Sequence, residues 1–409
     1  MDITYNNEIE ERFIPIEYNR LCSDILAYLG SEEPLRYIEF AELLSRYYHK
    51  NSYDSLQRLK DNYSPFSPEK ELLSTQFSDR ECDEMENRLF SEIDEILNSA
   101  NYEILTKGML EEAINRTSPY GVEVSVNLDD FDTMKIYFRG QSIQRDEILD
   151  PMKLYLKKKV IYEPIYRRLV IIIKPKQLYK RAKELAKEKD ISIEKAEKKL
   201  KRNLILRRDK NNKNIYIKLF KNIPQMDLEM LFPNRKIKMR LMDKLKIGIL
   251  GGGGTIGGTI TLFSKLGTIA VDPISALTAL GGFLGVLWRQ VKGVLSRRDH
   301  YLAKLAQRLY FYNLANHSGA LSYLIENANN EESKEVILTY FFLAHQTEPI
   351  TKEELDRLIE EFIFTKYRIK MNFEIDDGIK KLKLLGMLIE EDSKLKISHL
   401  SDWRGRFNS

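Results

Sequence analysis

Apolar residues near the start of the chain recur with the spacing of helices. Leu21, Ile25 and Leu29 lie four positions apart, and comparable sets continue well beyond them. Residues that repeat in this way share one face of a helix, which can be buried while the opposite face stays in water. The pattern predicts a helical N-terminal region, interrupted near Gly30 and Pro65, where glycine and proline favour turns.

From Gly121 onward the apolar residues recur with a period of two. Residues 122–127 alternate between apolar and polar side chains, and strand-like runs follow at 135–140, 166–174 and 215–220. Alternation places successive side chains on opposite faces of a strand. The short connections between the first three runs favour an antiparallel arrangement. We therefore expect a small antiparallel sheet.

A highly charged segment separates the last two strand-like runs. Residues 177–203 are rich in lysine and glutamate, which predicts a long surface helix. The first third of the chain is acidic, whereas residues 152–246 are basic. We expect these two regions to face each other, or the basic region to face anionic lipid head groups. The charged helix could instead be only a solvated element with ion pairs along its surface.

The least polar segment of the chain is 247–288, which carries only two charges, Lys265 and Asp272, in a chain that is 31% charged. It is long enough for two helices that each cross a hydrocarbon core of roughly 30 Å. The segment also fits the G-x-G-x-x-G pattern of a dinucleotide-binding fold. That alternative would use Gly252, Gly254, Gly257 and Asp272.

Two observations favour the membrane hairpin over the dinucleotide site and over a buried soluble hairpin. Residues 274–288 lack the polar face that a helix on a soluble sheet needs. Basic residues flank the segment on both sides, which places both flanks in the cytoplasm by the positive-inside rule. These flanking residues are Arg235, Lys236, Lys238, Arg240, Lys244, Lys246, Arg289, Lys292, Arg297 and Arg298. Glycines at four-residue spacing would let helices pack closely, within the hairpin or between chains: Gly253, Gly257, Gly281 and Gly285.

The C-terminal quarter has the pattern of a winged helix. Three predicted helices are followed by two short strands, which is the order of that motif. The helices are at 333–346, 352–367 and 374–385, and the strands at 387–390 and 394–397. Many winged helices bind DNA, but the third helix begins with Glu374 and Asp376, where groove-reading Arg, Asn or Gln would be needed. We therefore expect a unit that contacts protein, and nucleic acid is not favoured.

Residue types that carry catalysis or bind metals form no recognisable pattern. Cys22 and Cys82 are far apart, and the five histidines occur outside any H-E-x-x-H motif. Neither G-x-S-x-G nor G-x-x-x-x-G-K-[ST] occurs. We therefore assign no catalytic or metal-binding residue and no cofactor, and we do not favour an enzyme.

Several stretches are similar to those of a known family. Residues 216–224 end in the run KLFKNIP, and a basic segment after it enters the glycine-rich hairpin. Further similar stretches are 12–16, 137–140, 309–314 and 334–338. Together they resemble a family of unknown function that includes mitochondrial transmembrane protein 143. The resemblance supports a membrane protein and implies no catalytic residue, substrate or cofactor. Because the acidic N-terminus departs from a mitochondrial member, we expect a bacterial plasma (inner) membrane with both termini cytoplasmic, and a mitochondrial membrane is the alternative.

These patterns together predict an α+β membrane protein. It has a helical N-terminal region, a small antiparallel sheet, a glycine-rich transmembrane helix hairpin and a C-terminal winged-helix-like domain. The predicted divisions are a helical acidic region at 1–118, a basic α+β domain at 119–246, the hairpin at 247–290, a helical connector at 291–330 and the winged-helix-like domain at 331–409.

The predicted function is that of a membrane-anchored, mainly cytoplasmic scaffold or assembly protein, as an oligomer that could form a pore. The expected partners are the lipid bilayer with its anionic head groups, a second copy of the chain, and an unidentified protein at the C-terminal domain. Two alternatives stay open: an NAD-dependent enzyme that uses the glycine loop, and a membrane-tethered winged-helix nucleic-acid binder.

Overall fold

A computed structural model describes residues 3–4, 11–30, 34–70, 75–115, 122–149, 158–201, 213–234, 236–239, 309–398 and 407. The helices in these ranges are α1 (Tyr18–Leu29), α2 (Pro34–Tyr63), α3 (Asp79–Ser99), α4 (Lys107–Asn115), α5 (Leu178–Lys189), α6 (Ile193–Leu200), α7 (His317–Ala344), α8 (Lys352–Tyr367) and α9 (Ile375–Leu384). The strands are β1 (Ile3–Thr4), β2 (Glu103–Ile104), β3 (Val122–Ser125), β4 (Phe131–Leu149), β5 (Lys158–Pro175), β6 (Tyr216–Pro224), β7 (Lys236–Met239), β8 (Asn313–Asn316), β9 (Ile350–Thr351), β10 (Leu388–Glu391) and β11 (Lys394–Ile397).

Strands β4 and β5 form a long antiparallel hairpin at the centre of the main sheet. Their alternating β-branched and aromatic residues fit a pleated surface that is buried on both faces. β6 pairs with β5 and β8 with β6, while β1 and β2 pair with β4, all antiparallel. The predicted small antiparallel sheet is therefore confirmed. β4 and β5 continue well beyond the predicted runs at 135–140 and 166–174.

The two faces of the sheet belong to different hydrophobic cores. Tyr137, Val170 and Leu219 lie side by side on three strands and pack beneath α3 and the first half of α7. Phe138 and Leu169 belong to the opposite face, which packs beneath α5 and α6. Because a large apolar side chain contributes about 1.5–3 kcal/mol when fully buried, this double covering holds the sheet between its helices.

Helix α7 connects the sheet to a third core. Its first half lies on the sheet through Leu321 and Leu324, whereas Tyr340 and Phe341 in its second half pack with α1, α2, α8 and α9. Between the two halves lie buried polar residues, Glu331, Ser333 and Glu335. Two helices were predicted here, and one continuous helix forms, in which Glu331 pairs with Lys334 and Glu335 pairs with Lys381. α7 crosses residue 330, where the connector was predicted to end.

The C-terminal elements have the winged-helix order. β9, α8, α9 and the β10–β11 hairpin follow α7, and the strands pair in the order β10-β11-β9. Thr351 caps α8 by accepting a hydrogen bond from the Glu354 N–H at 3.2 Å. Gly378 lets α9 approach α7 closely, because a Cβ there would collide with the Thr339 hydroxyl. We call α8, α9 and β9–β11 the C-terminal unit.

The charged segment predicted as one long helix at 177–203 is two helices. α5 ends at Asp190, whose φ of 48° is left-handed, and α6 begins after the Ser192 cap. Several of the basic residues pair with acids from the first part of the fold, for example Lys180 with Asp132 at 2.8 Å. Lys174 likewise contacts Glu86 of α3 at 2.6 Å. The acidic and basic regions therefore face each other within one chain.

The prediction of an α+β membrane protein must be corrected. Within the described residues, no helix is both long enough and apolar enough to cross a membrane. The long helices α2, α3 and α7 all carry charged residues along their length. The fold class is therefore corrected to α+β with antiparallel sheets, and the predicted plasma-membrane location is withdrawn with it. The predicted hairpin at 247–290 lies outside the described residues.

Candidate functional site

Most residues that the sequence analysis singled out lie outside the described part of the chain. They are Gly252, Gly253, Gly254, Gly257, Asp272, Gly281, Gly285, Arg235, Arg240, Lys244, Lys246, Arg289, Lys292, Arg297 and Arg298. Lys236 and Lys238 are described and lie in β7, opposite Ser125 and Glu123 of β3. This part of the predicted basic flank is therefore a strand of a two-stranded sheet.

A row of three basic residues crosses the main sheet. The register places Arg139 of β4 opposite Arg168 of β5, and Arg168 opposite Lys221 of β6. Two positions before Arg139 on β4, the neighbouring row is apolar and lies under α3 and α7. It consists of Tyr137, Val170 and Leu219. Like charges directly opposite each other on neighbouring strands are destabilising. An anion beside this row would remove that cost.

Arg139 is buried without a carboxylate partner. The residue is 7% exposed. Its Nη1 donates to the carbonyl oxygen of Ala100 at 3.0 Å, and its Nη2 donates to Oδ1 of Asn327 at 2.9 Å. Its Nε has no hydrogen-bond partner. The guanidinium carbon lies 4.9 Å from the ring centroids of both Phe13 and Tyr102. The rings favour a cation between them, but they leave its charge unneutralised.

Arg168 and Arg167 extend the positive charge next to Arg139. Arg168 donates from Nη1 to the carbonyl oxygen of Arg167 at 2.9 Å, and its buried Nε has no hydrogen-bond partner. In the described part of the chain, no carboxylate forms an ion pair with Arg139 or Arg168. Burial, together with the nearby charge of Arg168, lowers the pKa of Arg167 to about 10.

Gly140 allows the N-terminal segment to lie against this basic row. Its φ is 70°, and a Cβ on it would lie 2.7 Å from Cε1 of Phe13 and 3.3 Å from Cδ of Arg167. Glycine adopts this left-handed conformation without steric cost. The Phe13 ring centroid also lies 5.6 Å from the guanidinium carbon of Arg167. We call residues 11–17, which contain Phe13, the strap.

Helix α7 holds the other side of the strap. The Ile14 N–H donates to Oε1 of Glu331, and Lys334 Nζ donates to the Ile14 carbonyl oxygen at 2.9 Å. Lys334 Nζ also lies 3.7 Å from Oε2 of Glu331. Burial lowers the pKa of Lys334. Glu331 is engaged by Ile14 and Lys334, and it forms no ion pair with Arg139 or Arg168.

Together these side chains surround a cavity of about 500 Å³, which we call the arginine pocket. Four cations line it, Arg139, Arg167, Arg168 and Lys334, together with two acids, Glu17 and Glu331. The volume is within the usual range for small-molecule sites. Arginine binds carboxylates and phosphates through paired, parallel hydrogen bonds. The arrangement is therefore chemically suited to an anion.

Beside the pocket, the strap also contacts the C-terminal unit. The Glu11 N–H donates to the Lys370 carbonyl oxygen, and the Asn372 N–H donates to the Glu11 carbonyl oxygen, both at 3.0 Å. Arg12 forms an ion pair with Glu374 at 2.8 Å. The strap therefore pairs with the chain that leads into α9.

A buried polar chain runs parallel to these contacts. Asn101 Nδ2 donates to the Arg12 carbonyl oxygen and to Oε1 of Glu335, both at 3.0 Å. Oε2 of Glu335 accepts a hydrogen bond from Lys381 of α9 at 2.5 Å. Burial raises the pKa of Glu335, although Lys381 opposes the shift. The strap, α7 and α9 are thus connected through hydrogen bonds.

Two other clefts of comparable size lack buried, uncompensated charge. One, of about 500 Å³ between α2, α3, α7 and α9, mixes acids such as Glu332 with lysines such as Lys380. The other, of about 650 Å³ beside the β10–β11 hairpin, is lined by Lys394 and Lys396, which are exposed to water. Within the described ranges, no group of three His, Cys, Asp or Glu side chains could hold a metal ion.

The fold and this site define a class: an α+β protein with a cationic cavity between an antiparallel sheet and a winged-helix-like unit. Residues 166–319 match the model of a family described as protein of unknown function (DUF3754). The matched range begins in β5, contains Arg167 and Arg168, and ends in the first turn of α7. No solved structure is significantly similar to this fold.

Local sequence patterns do not predict the arginine pocket, because its lining residues come from five separate segments of the chain. Two signals were present, however. Arg139 and the Arg167–Arg168 pair interrupt strand patterns that are otherwise strongly apolar. Charged residues at buried strand positions are rare unless they have partners, so these interruptions could have indicated a site.

Proposed function

We propose that this protein is a non-catalytic scaffold whose arginine pocket binds a small phosphate-bearing anion. The observation that carries this proposal is the cross-strand pair of Arg139 and Arg168. Both form hydrogen bonds only to neutral acceptors, and they lie directly opposite each other. A buried charge is stable when it is paired, and an external anion would supply the missing pair.

Phosphate suits the pocket better than a single carboxylate. Glu331 is matched with Lys334, and Arg139 and Arg168 form no ion pair with a carboxylate in the described part of the chain. Their excess positive charge fits a ligand with two or more negative charges. A phosphate group offers several acceptor oxygens to arginine forks. The cavity has room for a phosphate ester of metabolite size.

The scaffold part of the proposal is supported by the C-terminal unit. Helix α9 begins with Asp376 and Asp377, and Asp376 pairs with Lys352 at 2.6 Å. A phosphate backbone would be repelled by this acidic start. The proposed partner of the unit is therefore a protein. Self-association of the chain remains part of the same proposal.

Kinship with the family that includes mitochondrial transmembrane protein 143 is also a proposal. Of the stretches that resemble that family, 12–16, 137–140 and 334–338 supply Phe13, Arg139 and Lys334. These three residues meet at the arginine pocket. Their convergence supports the view that the resemblance reflects a common site.

Titration with pyrophosphate tests the proposal. We expect calorimetry on the full chain to show saturable binding at one site. Saturation should also raise the free energy of unfolding, by about 2.7 kcal/mol at a concentration one hundred times Kd. Replacing Arg168 by Gln should weaken binding at least tenfold, because it removes one charged hydrogen-bond donor group.

The matched control is Arg80→Gln, which removes the same charge from an exposed position on α3. Arg80 pairs only with Glu84 within its own helix, so its loss should leave binding unchanged. Sodium chloride at equal ionic strength controls for screening. Equal binding by wild type and Arg168→Gln, or stabilisation that never saturates, would refute the proposed pocket.

A further inference from the structure

We infer that an anion in the arginine pocket strengthens the docking of the C-terminal unit, with the strap as the connecting element. This inference rests on the proposed function and adds regulation to it. Successive residues of the strap contact both the pocket and the 370–374 segment.

The first step is that one end of the strap forms part of the pocket wall. Phe13 and Ile14 line the cavity, and the Phe13 ring stacks on Arg139. Ile14 is held by Glu331 and Lys334 through both its N–H and its carbonyl group. The pocket is therefore complete only while the strap is in place.

The second step is that the other end of the strap forms part of the C-terminal interface. Glu11 makes a parallel β-bridge with Met371, with its N–H and C=O both used. The neighbouring Arg12 reaches Glu374 with its side chain and Asn101 with its carbonyl oxygen. These contacts end at Arg12, directly before Phe13, the first residue of the pocket wall, so both sets of contacts are made by one short segment.

The third step is thermodynamic. A ligand shifts an equilibrium only by the difference between its affinities for the two states. With the strap displaced, the pocket would lose Phe13 and Ile14, and water would enter beside the arginines. Charge interactions weaken as the surroundings become more polar, so the anion binds better when the strap is docked. By reciprocity, the bound anion must favour the docked strap and the contacts at its other end.

Without the anion, the arginines themselves oppose the docked state. Arg139 and Arg168 lie directly opposite each other on two neighbouring strands. Their mutual repulsion is relieved when the strap moves away and water enters. An anion removes this repulsion, so the pocket changes from opposing strap docking to supporting it.

Hydrogen exchange on the full chain tests the inference. The Asn372 N–H reports on the C-terminal interface, because it donates to the Glu11 carbonyl oxygen. Saturating pyrophosphate should slow exchange in 369–373 by about fivefold or more. Exchange in α5, which lies on the opposite face of the sheet, should not change. Arg139→Gln, which removes a pocket cation, should abolish the slowing.

A second variant separates the connection from the binding. In the double variant, Arg12→Gln removes the side chain that pairs with Glu374, and Asn101→Gly removes the side chain that donates to the Arg12 carbonyl oxygen. Every residue that lines the pocket is unchanged. Glycine suits position 101, where φ is 56°. We expect this variant to bind pyrophosphate with a Kd within twofold of wild type and to lose more than half of the slowing.

The two proposals fail in different ways. Absence of calorimetric binding to wild type would overturn the proposed function. Saturating binding with unchanged exchange in 369–373 would overturn only the coupling. Full slowing in the Asn101→Gly/Arg12→Gln variant would also overturn the coupling through the strap, because the contacts assigned to it would then be unnecessary.

Discussion

Arg181 and Arg139 are both buried arginines, but their surroundings differ in charge. Arg181 of α5 is 1% exposed, and four carboxylates surround it. They are Asp129 at 3.7 Å, Asp130 at 3.2 Å, Glu184 at 3.4 Å and Glu188 at 2.7 Å. Arg139 has a carbonyl oxygen, an amide oxygen and two aromatic rings instead. We call the first arrangement the Arg181 network.

The effect on pKa shows the same contrast. Burial alone would lower the pKa of Arg181, but hydrogen bonds to Glu188 and Asp130 outweigh burial and raise it. The pKa of Arg167 in the arginine pocket falls instead. A buried charge with its own counter-ions has a structural role, whereas a buried charge such as Arg139, which pairs with no described carboxylate, leaves a place for an external ion. The comparison therefore distinguishes a structural cluster from a candidate site within one chain.

The largest effect should come from the Arg181 network. Replacing Arg181 by Met removes the guanidinium that lies 3.2 Å from Asp130, a carboxylate residue that is 4% exposed. Removing one partner of a buried ion pair typically costs about 3–5 kcal/mol. We expect a loss of this size in the free energy of unfolding, measured by urea titration.

Lys180→Gln is the control for this prediction. Lys180 pairs with Asp132 at 2.8 Å, but its side chain is 57% exposed. Exposed pairs contribute about 0–1 kcal/mol, so the variant should remain close to wild type. If Arg181→Met loses no more stability than Lys180→Gln, the four carboxylates do not make Arg181 important for stability. The contrast between a structural Arg181 and an uncompensated Arg139 would then be wrong.

Much of the described fold followed from periodicity. Alternation at 135–140 and 166–174 correctly predicted β4 and β5, because strand pleating imposes a period of two. Periodicity failed at α7, where polar residues from Glu326 to Glu335 interrupted the apolar pattern. Their burial depends on partners such as Lys381 and Ile14, which are distant in sequence. The membrane prediction depended on one apolar segment, to which it gave more weight than to the charged helices.

The site could not be derived from local patterns. Arg139 and Arg168 become neighbours only through the β4–β5 register, and that register depends on the whole hairpin. Phe13 arrives from the N-terminus because Gly140 leaves space for its ring. A sequence shows which residues are charged. Whether a buried charge has a counter-ion depends on residues that are distant in sequence and become neighbours only in the folded chain.

A smaller effect is expected on the pH dependence of the free energy of unfolding. It arises because an acid of the Arg181 network and an acid near Arg139 have pKa shifts in opposite directions. In the Arg181 network, the hydrogen bond from Arg181 lowers the pKa of Glu188. For Glu11, burial raises the pKa to about 7, although the charge of Arg139 opposes this shift. Glu11 is therefore not the counter-ion of Arg139 in the way that Glu188 is the counter-ion of Arg181.

The sign of the pH effect follows from linkage. Between its ordinary value of 4.5 and about 7, folded Glu11 keeps a proton that the unfolded chain releases. Stability from this group therefore falls as pH rises through that window. Glu11→Gln should remove about 3 kcal/mol of this fall between pH 5 and pH 8, since about two pKa units of the window lie in that range and one unit corresponds to about 1.4 kcal/mol. Urea titrations of both proteins at pH 5 and pH 8 measure it. Parallel pH profiles would show that Glu11 is ionised in the fold and could itself balance Arg139.

The smallest effect on stability should come from Arg139 in the absence of an anion. Arg139→Met gives up hydrogen bonds to Ala100 and Asn327, but it leaves no carboxylate unpaired and relieves repulsion with Arg168. Because a net hydrogen bond contributes about 1 kcal/mol, we expect a loss of about 1 kcal/mol, well below that of Arg181→Met. Pyrophosphate should widen this gap, because it stabilises wild type and has no complete pocket in the variant. Unfolding titrations of both proteins with and without pyrophosphate measure the change. A loss as large as that of Arg181→Met without any anion would mean that Arg139 is already compensated, and the arginine pocket would then be a structural cluster of the same kind as the Arg181 network.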